Sequence, residues 1–385
     1  MYKILNAIAA PIATLLFVGM PVGVPPRAQP APVDSEIILR YNGTPLRGGR
    51  WSFVKEFQDA LNVALVGCGI APIGADGSFG RGSRAAVTKL GGCPGFGGLE
   101  VGAGERNAGI LTQALWQKLL PDEPMPDALE RAHVIWLTHE ATDYGKAEFN
   151  FTSTGQPQPN DRFSYLTWGP FGATVGHGRE VQKILAIPAA NAEIGPCFDG
   201  EANAVQTLLA ASDPGARDLL RQVVVDPDRR KRWSDGFECL GAKPQVRAAY
   251  DSFALDTDQW LRPAVRRLEG LVGPDPVTGI DYALFVDLAM HMSISPNRIS
   301  AARQALADRE QQGDSLSASE RRQIIGQTLV SMLGNQVEDR RGRNVVFYID
   351  GLGADRLSPQ EIAAWKHRSA FRASDVGLSD APIDR

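Results

Sequence analysis

The sequence predicts a mainly α-helical chain. A small three-helix unit comes first, and a larger α+β domain follows, in which a helical bundle carries a small β-hairpin or sheet. Three observations carry this reading. Apolar residues recur at helical spacing through most of the 385 residues. Capping residues stand repeatedly just ahead of those stretches. One interval, residues 147–168, instead alternates with period two around a turn-forming segment. Hydrophobic residues at 43% and charged residues at 22% suffice to bury a core, which excludes global disorder and a collagen-like repeat. The net charge of −4 is unevenly spread. Residues 1–46 carry three basic and two acidic residues, residues 47–120 eight and five, and residues 121–385 29 and 37. A weakly basic segment thus precedes an acidic body. No dense basic face is present, so no nucleic-acid partner is expected.

Elements follow in chain order. Met1-Tyr2-Lys3 precedes an apolar run, residues 4–24, interrupted by Pro11 and Pro21. A cation before an apolar core is the pattern of a secretory signal, and the prolines disfavour a spanning helix. A signal peptide is expected over residues 1–31, ending at Ala28 or Ala31, with a periplasmic or secreted product and no membrane association after cleavage; an uncleaved anchor is the alternative. This run is the one long apolar stretch in the sequence, which excludes a polytopic membrane protein. Residues 32–46 read as a tether. In the unit 47–120, Phe53, Phe57, Ala60, Leu61 and Ala64 fall on one helix face. Asp76-Gly77-Ser78-Phe79-Gly80 is turn chemistry, and Ser83 is expected to cap a helix from Arg84. Ile110-Leu111-Thr112-Gln113-Ala114-Leu115-Trp116 opens a third helix. Residues 121–126 hold three prolines and read as a linker.

From Asp127 the domain 127–385 is mostly helical. Asp127 with Glu130, Ser317 with Glu320 and Ser358 with Glu361 make capping boxes. Asp213-Pro214 and Asp226-Pro227 each place a cap before a proline at the first helical position. Residues 280–290 are apolar on nearly every side, as suits a helix at the centre of a bundle. The four cysteines, Cys68, Cys93, Cys197 and Cys239, allow three disulfide connectivities. Pairing within each region, Cys68 with Cys93 and Cys197 with Cys239, is the simplest, and makes structural bridges rather than nucleophiles of them.

Glu140 is the first candidate for chemistry. It follows Leu129, His133 and Trp136 on one face of a helix over residues 128–141. A carboxyl at the end of an apolar face is expensive to ionise, and a raised pKa is what a general acid needs. A second carboxylate on the hairpin opposite, from Asp143, Glu148 or Asp161, would complete a glycosidic pair. Trp168-Gly169-Pro170-Phe171-Gly172 sets aromatic rings among glycines, and flat rings suit the apolar C–H faces of sugars. Other chemistries fail on the residues. His139-Glu140-Ala141-Thr142-Asp143 lacks the second histidine of a zinc-protease helix. His139 and Asp143 are too few for a metal, so no metal and no cofactor are expected. Gly176-His177-Gly178 is too short for a phosphate loop, and no Gly-x-Ser-x-Gly elbow occurs.

Two sets of strings support family resemblances. Phe57-Gln58-Asp59-Ala60-Leu61, Asp76-Gly77-Ser78-Phe79-Gly80, Ala85-Ala86-Val87 and the closing Leu111-Thr112-Gln113-Ala114-Leu115-Trp116 resemble the three-helix peptidoglycan-binding domain of wall hydrolases. That resemblance implies Asp76, Gly77, Phe79 and Gly80 as wall-binding residues. A helix ending in Glu140, then a hairpin, then a bundle resembles the lysozyme superfamily. Within it, Tyr144-Gly145-Lys146-Ala147-Glu148-Phe149-Asn150, Asp161-Arg162-Phe163-Ser164-Tyr165-Leu166-Thr167-Trp168-Gly169 and Ala283-Leu284-Phe285-Val286-Asp287-Leu288-Ala289-Met290-His291 resemble the chitosanase branch. The resemblance implies Glu140 as acid, Asp161 as base, Thr167 as the residue that positions the water, and Glu148 as a sugar contact. Tyr144, Tyr165, Trp168 and Phe171 are the aromatic candidates for substrate binding. The expected partner is peptidoglycan or a related amino-sugar polymer, and the expected activity that of a muramidase-like hydrolase. A chitosanase-like hydrolase, a lytic transglycosylase and a non-catalytic wall-binding protein are the alternatives.

Overall fold

The computed structural model describes residues 37–102, 108–139, 143–159, 163–311, 315–333, 337–349, 358–360 and 372–383. The expected signal peptide, Glu140, Asp161 and the Glu361 half of one capping box lie outside them.

The described chain is mainly helical, as expected. It begins with β1 (Ile37–Leu39), β2 (Leu46–Arg47), α1 (Phe53–Gly67), β3 (Ser78–Phe79), α2 (Arg81–Leu90), β4 (Leu111–Thr112) and α3 (Gln113–Leu119). α1 buries Phe53, Phe57 and Leu61 as the periodicity predicts, together with Val54 and Leu65. The expected tether is partly structural: β1 pairs antiparallel with β4, β2 pairs with β3, and Ile38, Leu39 and Leu46 are fully buried. Ser83 does not cap a helix. α2 starts at Arg81, and buried Ser83 accepts from Gln58 Nε2 at 3.1 Å and donates to the Ser78 carbonyl. The third helix starts later than expected, because Leu111 and Thr112 are extended and Thr112 is the cap, its Oγ1 accepting from Leu115 N.

α4 (Ala128–His139) leads into a three-stranded antiparallel sheet, β5 (Ala147–Phe149), β6 (Ser164–Trp168) and β7 (Ala173–Gly176), in the order β5-β6-β7. The Asp127–Glu130 capping box is reciprocal, at 2.9 and 3.0 Å. Then follow α5 (Glu180–Leu185), α6 (Pro188–Asn191), α7 (Ile194–Cys197), α8 (Ala202–Ala210), α9 (Asp213–Val225), α10 (Pro227–Ala242), α11 (Pro244–Leu255) and α12 (Arg262–Glu269). The chain continues through α13 (Gly279–His291), α14 (Pro296–Glu310), α15 (Ala318–Val330) and α16 (Val337–Tyr348) to a short 3₁₀ turn, Ala373–Val376. Asp226 caps α10 as expected, but Asp213 is already inside α9, whose cap is Ser212. The Ser317–Glu320 box is present, and α13 carries a further one from Thr278 and Asp281. α13 is buried over most of its length and packs on α4, α12, α15 and α16, the central place that its all-round apolar character demands.

Both disulfides are intraregional. Cys68 pairs with Cys93, with α-carbons 6.2 Å apart, and Cys197 with Cys239, at 5.4 Å. Polar contacts join residues 37–120 to the rest. Arg40 Nε binds Asp375 at 2.6 Å, Arg47 N donates to Thr138 Oγ1 at 2.7 Å, and Arg50 pairs with Glu238. Among the described residues no helix is long and apolar enough to cross a membrane.

Candidate functional site

The sheet has two unlike faces. Alternation puts Phe149, Leu166, Trp168, Ala173 and Val175 toward the core, all buried. In register, Glu148 of β5 pairs with Thr167 of β6, and Thr167 with Thr174 of β7. Cross-strand partners share a face, so these three form a polar row across the sheet. Glu180, at the start of α5, extends the row: its Oε2 accepts from Thr174 N at 3.1 Å and Thr174 Oγ1 at 2.7 Å. Thr167 Oγ1 accepts from Asn150 Nδ2 at 3.0 Å and lies 3.3 Å from Ser164 Oγ. Asn150 Nδ2 also reaches Ser164 Oγ at 3.2 Å. The ladder is irregular between Ser164 and Leu166, and such irregularities re-aim side chains, here bringing Ser164 round to Thr167. Glu148 is exposed and pairs with Lys146 at 2.6 Å.

Beside the row lies a cleft of about 390 Å³ between the sheet, the loop before α12 and the end of α13. Phe163, Ser164, Phe171, Thr174, His177, Glu180, Trp260 and Met290 line it. The sequence-derived aromatic candidates separate here. Phe171 reaches the cleft and stacks on Tyr250, with centroids 5.7 Å apart. Trp168 is fully enclosed; its indole N–H donates to the Tyr144 carbonyl at 2.6 Å and its ring meets the edges of Tyr250 and Phe237. Tyr165 is buried against Phe151. The glycine-rich string is a tight turn folded around the Tyr250 hydroxyl, which donates to Trp168 O at 3.0 Å and accepts from Phe171 N at 3.1 Å. Gly169 takes φ +75° there, and a Cβ would strike the Tyr250 ring.

Tyr144 belongs to a second cluster. Its hydroxyl lies 2.7 Å from both oxygens of Asp251 and 3.2 Å from His133 Nδ1. Burial pushes the Asp251 carboxyl up to about 7, against the lowering influence of Tyr144 and Arg247. Burial also brings His133 down to about 3, and its Nε2 is buried without a hydrogen-bond partner. A cavity of about 170 Å³ borders this cluster, lined also by Trp51, Glu56, Glu130 and Asp143. Desolvation raises the Glu56 and Glu130 carboxyls from their ordinary value. Asp143 caps its own turn, accepting from Gly145 N at 3.0 Å.

The four wall-binding candidates make a closed turn. Asp76 Oδ1 accepts from Ser78 N at 2.9 Å and from Gln58 Nε2 at 3.2 Å, while Gly77 N donates to Gln58 Oε1 at 2.7 Å. Gly77 has φ +73°, and a Cβ would collide with the Gly49 carbonyl oxygen. Phe79 is fully buried, and Gly80 caps α2. Among the described residues no group of three or more His, Cys, Asp or Glu is placed to hold a metal ion.

Sequence reasoning missed Trp260, Glu180, Asn150, Ser164 and Asp251. Trp260 had no local signal, since it reaches the cleft from a loop 89 positions beyond Phe171 in the chain. No family model matches the chain, no curated protein matches it, and no solved structure matches it.

Proposed function

We propose that the chain is an exported glycoside hydrolase of lysozyme-like design that cleaves the glycan backbone of peptidoglycan. The observation that carries the reading is the polar row beside an aromatic cleft. Thr167, its oxygen held by Asn150 and Ser164, stands in that row three strand positions from cleft-lining Ser164. α4 ends one residue before Glu140, and β6 begins three residues after Asp161. In this reading Glu140 protonates the leaving glycosidic oxygen, and ionised Asp161 takes a proton from a water. The Asn150 amide occupies a lone pair of Thr167 Oγ1. With Ser164 as the donor in its contact with Thr167, the Thr167 hydroxyl proton can point at that water and hold it for attack. Glu148, across the strand pair from Thr167, contacts the sugar.

Residues 47–120 would supply weak wall affinity, through a surface near the Asp76–Gly80 turn. Two disulfides suit an oxidising compartment and support export to the periplasm or the exterior. The acidic balance of residues 121–385 favours a second substrate, a cationic amino-sugar polymer such as chitosan.

Product analysis by mass spectrometry after digestion of purified peptidoglycan tests the reading. Reducing-end sugars, lost in Glu140→Gln, are the expected result. Anhydro ends would mean transglycosylation with no need of Asp161, and no release from peptidoglycan or chitosan would overturn catalysis in favour of a wall-binding role.

A further inference from the structure

We infer that the cleft beside the polar row is a pyranose-binding subsite, in which Phe163 and Trp260 supply the aromatic walls and Glu180 is the recognition carboxylate. This rests on the glycan reading but assigns residues that reading does not use.

The carboxylate carries the first part of the inference. Glu180 lines an aromatic cleft, is half-buried, and makes no ion pair among the described residues. Its hydrogen bonds come from Thr174, both to Oε2. Oε1 has no hydrogen-bond donor among the described residues. Oε1 is therefore an acceptor that a ligand's N–H or O–H can take up from the cleft. The chain also bends unfavourably to place it. Arg179, just before Glu180, is the one non-glycine residue with positive φ among those described, at 57°. Its guanidinium is anchored elsewhere, donating to the Ala211 carbonyl at 3.0 Å. Gly178 leaves space for Oε1, which a Cβ would strike. Backbone strain of this kind persists where the surroundings impose it, and it gathers at ligand sites.

The aromatic walls carry the second part. Phe163 is 60% exposed, unusual for a ring of that size, and its carbonyl is pinned by His177 N at 2.8 Å. Trp260 is held edge-on by Phe171 and Tyr250, with centroids 6.2 and 5.9 Å away, so its orientation is set before any ligand arrives. A fixed Trp260 ring and an exposed Phe163 ring beside a carboxylate acceptor fit a pyranose, which offers an apolar C–H face and an N–H or O–H donor at its edge. A cleft of about 390 Å³ lies within the usual range for small-ligand sites.

Isothermal titration of the full chain with tetra-N-acetylchitotetraose and with its fully deacetylated counterpart tests this. Phe163→Ala, Glu180→Gln and Trp260→Phe are compared with the wild type, and thermal melts check that each variant is folded. The wild type should bind, and Glu180→Gln and Phe163→Ala should each weaken binding about ten-fold without moving the melt. Stronger binding of the deacetylated tetramer, falling with salt, would identify an ammonium as the donor. Salt-independent binding of the acetylated form would identify an amide or hydroxyl. Binding unchanged in both Glu180→Gln and Phe163→Ala would overturn the subsite and leave the glycan reading standing. Binding of neither tetramer by the wild type would also overturn it, whatever the digestion of peptidoglycan gives.

Discussion

The hydroxyl of Tyr144 sits 2.7 Å from both carboxylate oxygens of Asp251, a residue 107 positions later in the chain, and 3.2 Å from His133 Nδ1. While Asp251 is ionised, the Tyr144 proton goes to it, and the Nδ1–H tautomer of His133 completes the chain by donating to the Tyr144 oxygen. The two titrating groups pull stability in opposite directions. Asp251 is held near 7 when folded against 3.8 when free, so the folded state binds its proton more tightly and stability falls as pH rises from about 4 to 7. His133 is held near 3 against 6.5, so stability is lost as pH falls from about 6.5 to 3. Between about pH 4 and 6.5 the two slopes oppose each other. Asp251→Asn removes one of them. Its melting temperature should fall on acidification below pH 6.5 more steeply than that of the wild type, and relative to wild type it should fare better at pH 8 than at pH 5. Parallel pH profiles for the two proteins would sink this account.

Thr167 is expected to act through its hydroxyl. Thr167→Val is close in shape and removes the oxygen that Asn150 and Ser164 hold. Turnover on peptidoglycan should drop about 10²-fold, the scale of one lost catalytic hydrogen bond, with little change in KM. Thr167→Ser should recover most of the rate. Equal activity in wild type and Thr167→Val would remove Thr167 from the mechanism.

Arg322 ties the C-terminal segment to the bundle. It is fully buried, donating to Asp281 at 3.0 Å, to Asp380 at 2.6 Å and to the Tyr348 carbonyl at 2.7 Å. Arg322→Met leaves the buried Asp281 without its cation, which should cost about 3–5 kcal/mol in denaturant unfolding. The double change Arg322→Met with Asp281→Asn should lose less than the single one. A single-variant loss below about 1 kcal/mol would show that water reaches the cluster.

The disulfides close loops of 25 and 42 residues. By loop entropy these contribute about 3.5 and about 4 kcal/mol. Thermal melts with and without reductant, with thiol titration to confirm reduction, should show a clear drop in midpoint. Replacing Cys197 and Cys239 by serine should reproduce the larger share. An unchanged midpoint in the fully reduced protein would contradict this.

Local signals were legible in the sequence because they act within a few residues. The boxes at Asp127–Glu130 and Ser317–Glu320, the face of α1, the central helix α13 and the alternation of β5 and β6 each depend on near neighbours. The same reasoning erred by a residue or a few where a distant partner competed. Ser83 turned from capping to Gln58, and Leu111 and Thr112 were drawn into a strand by Ile37 and Leu39.

By itself the sequence determined the helical class and the place of the small sheet, and it made the regional pairing of the cysteines the simplest of three. The reason is that periodicity, caps and loop distance are properties of the chain. Only the tertiary structure decided which aromatic rings face the cleft. Trp168, the boldest ring of its string, became core because Tyr250 lies across the turn, while Phe163 and Trp260 were left at the opening. It also decided the partners of Thr167, Glu180 and Asp251. Register pairing and helix packing join residues that lie far apart along the chain, and no local pattern records that closure.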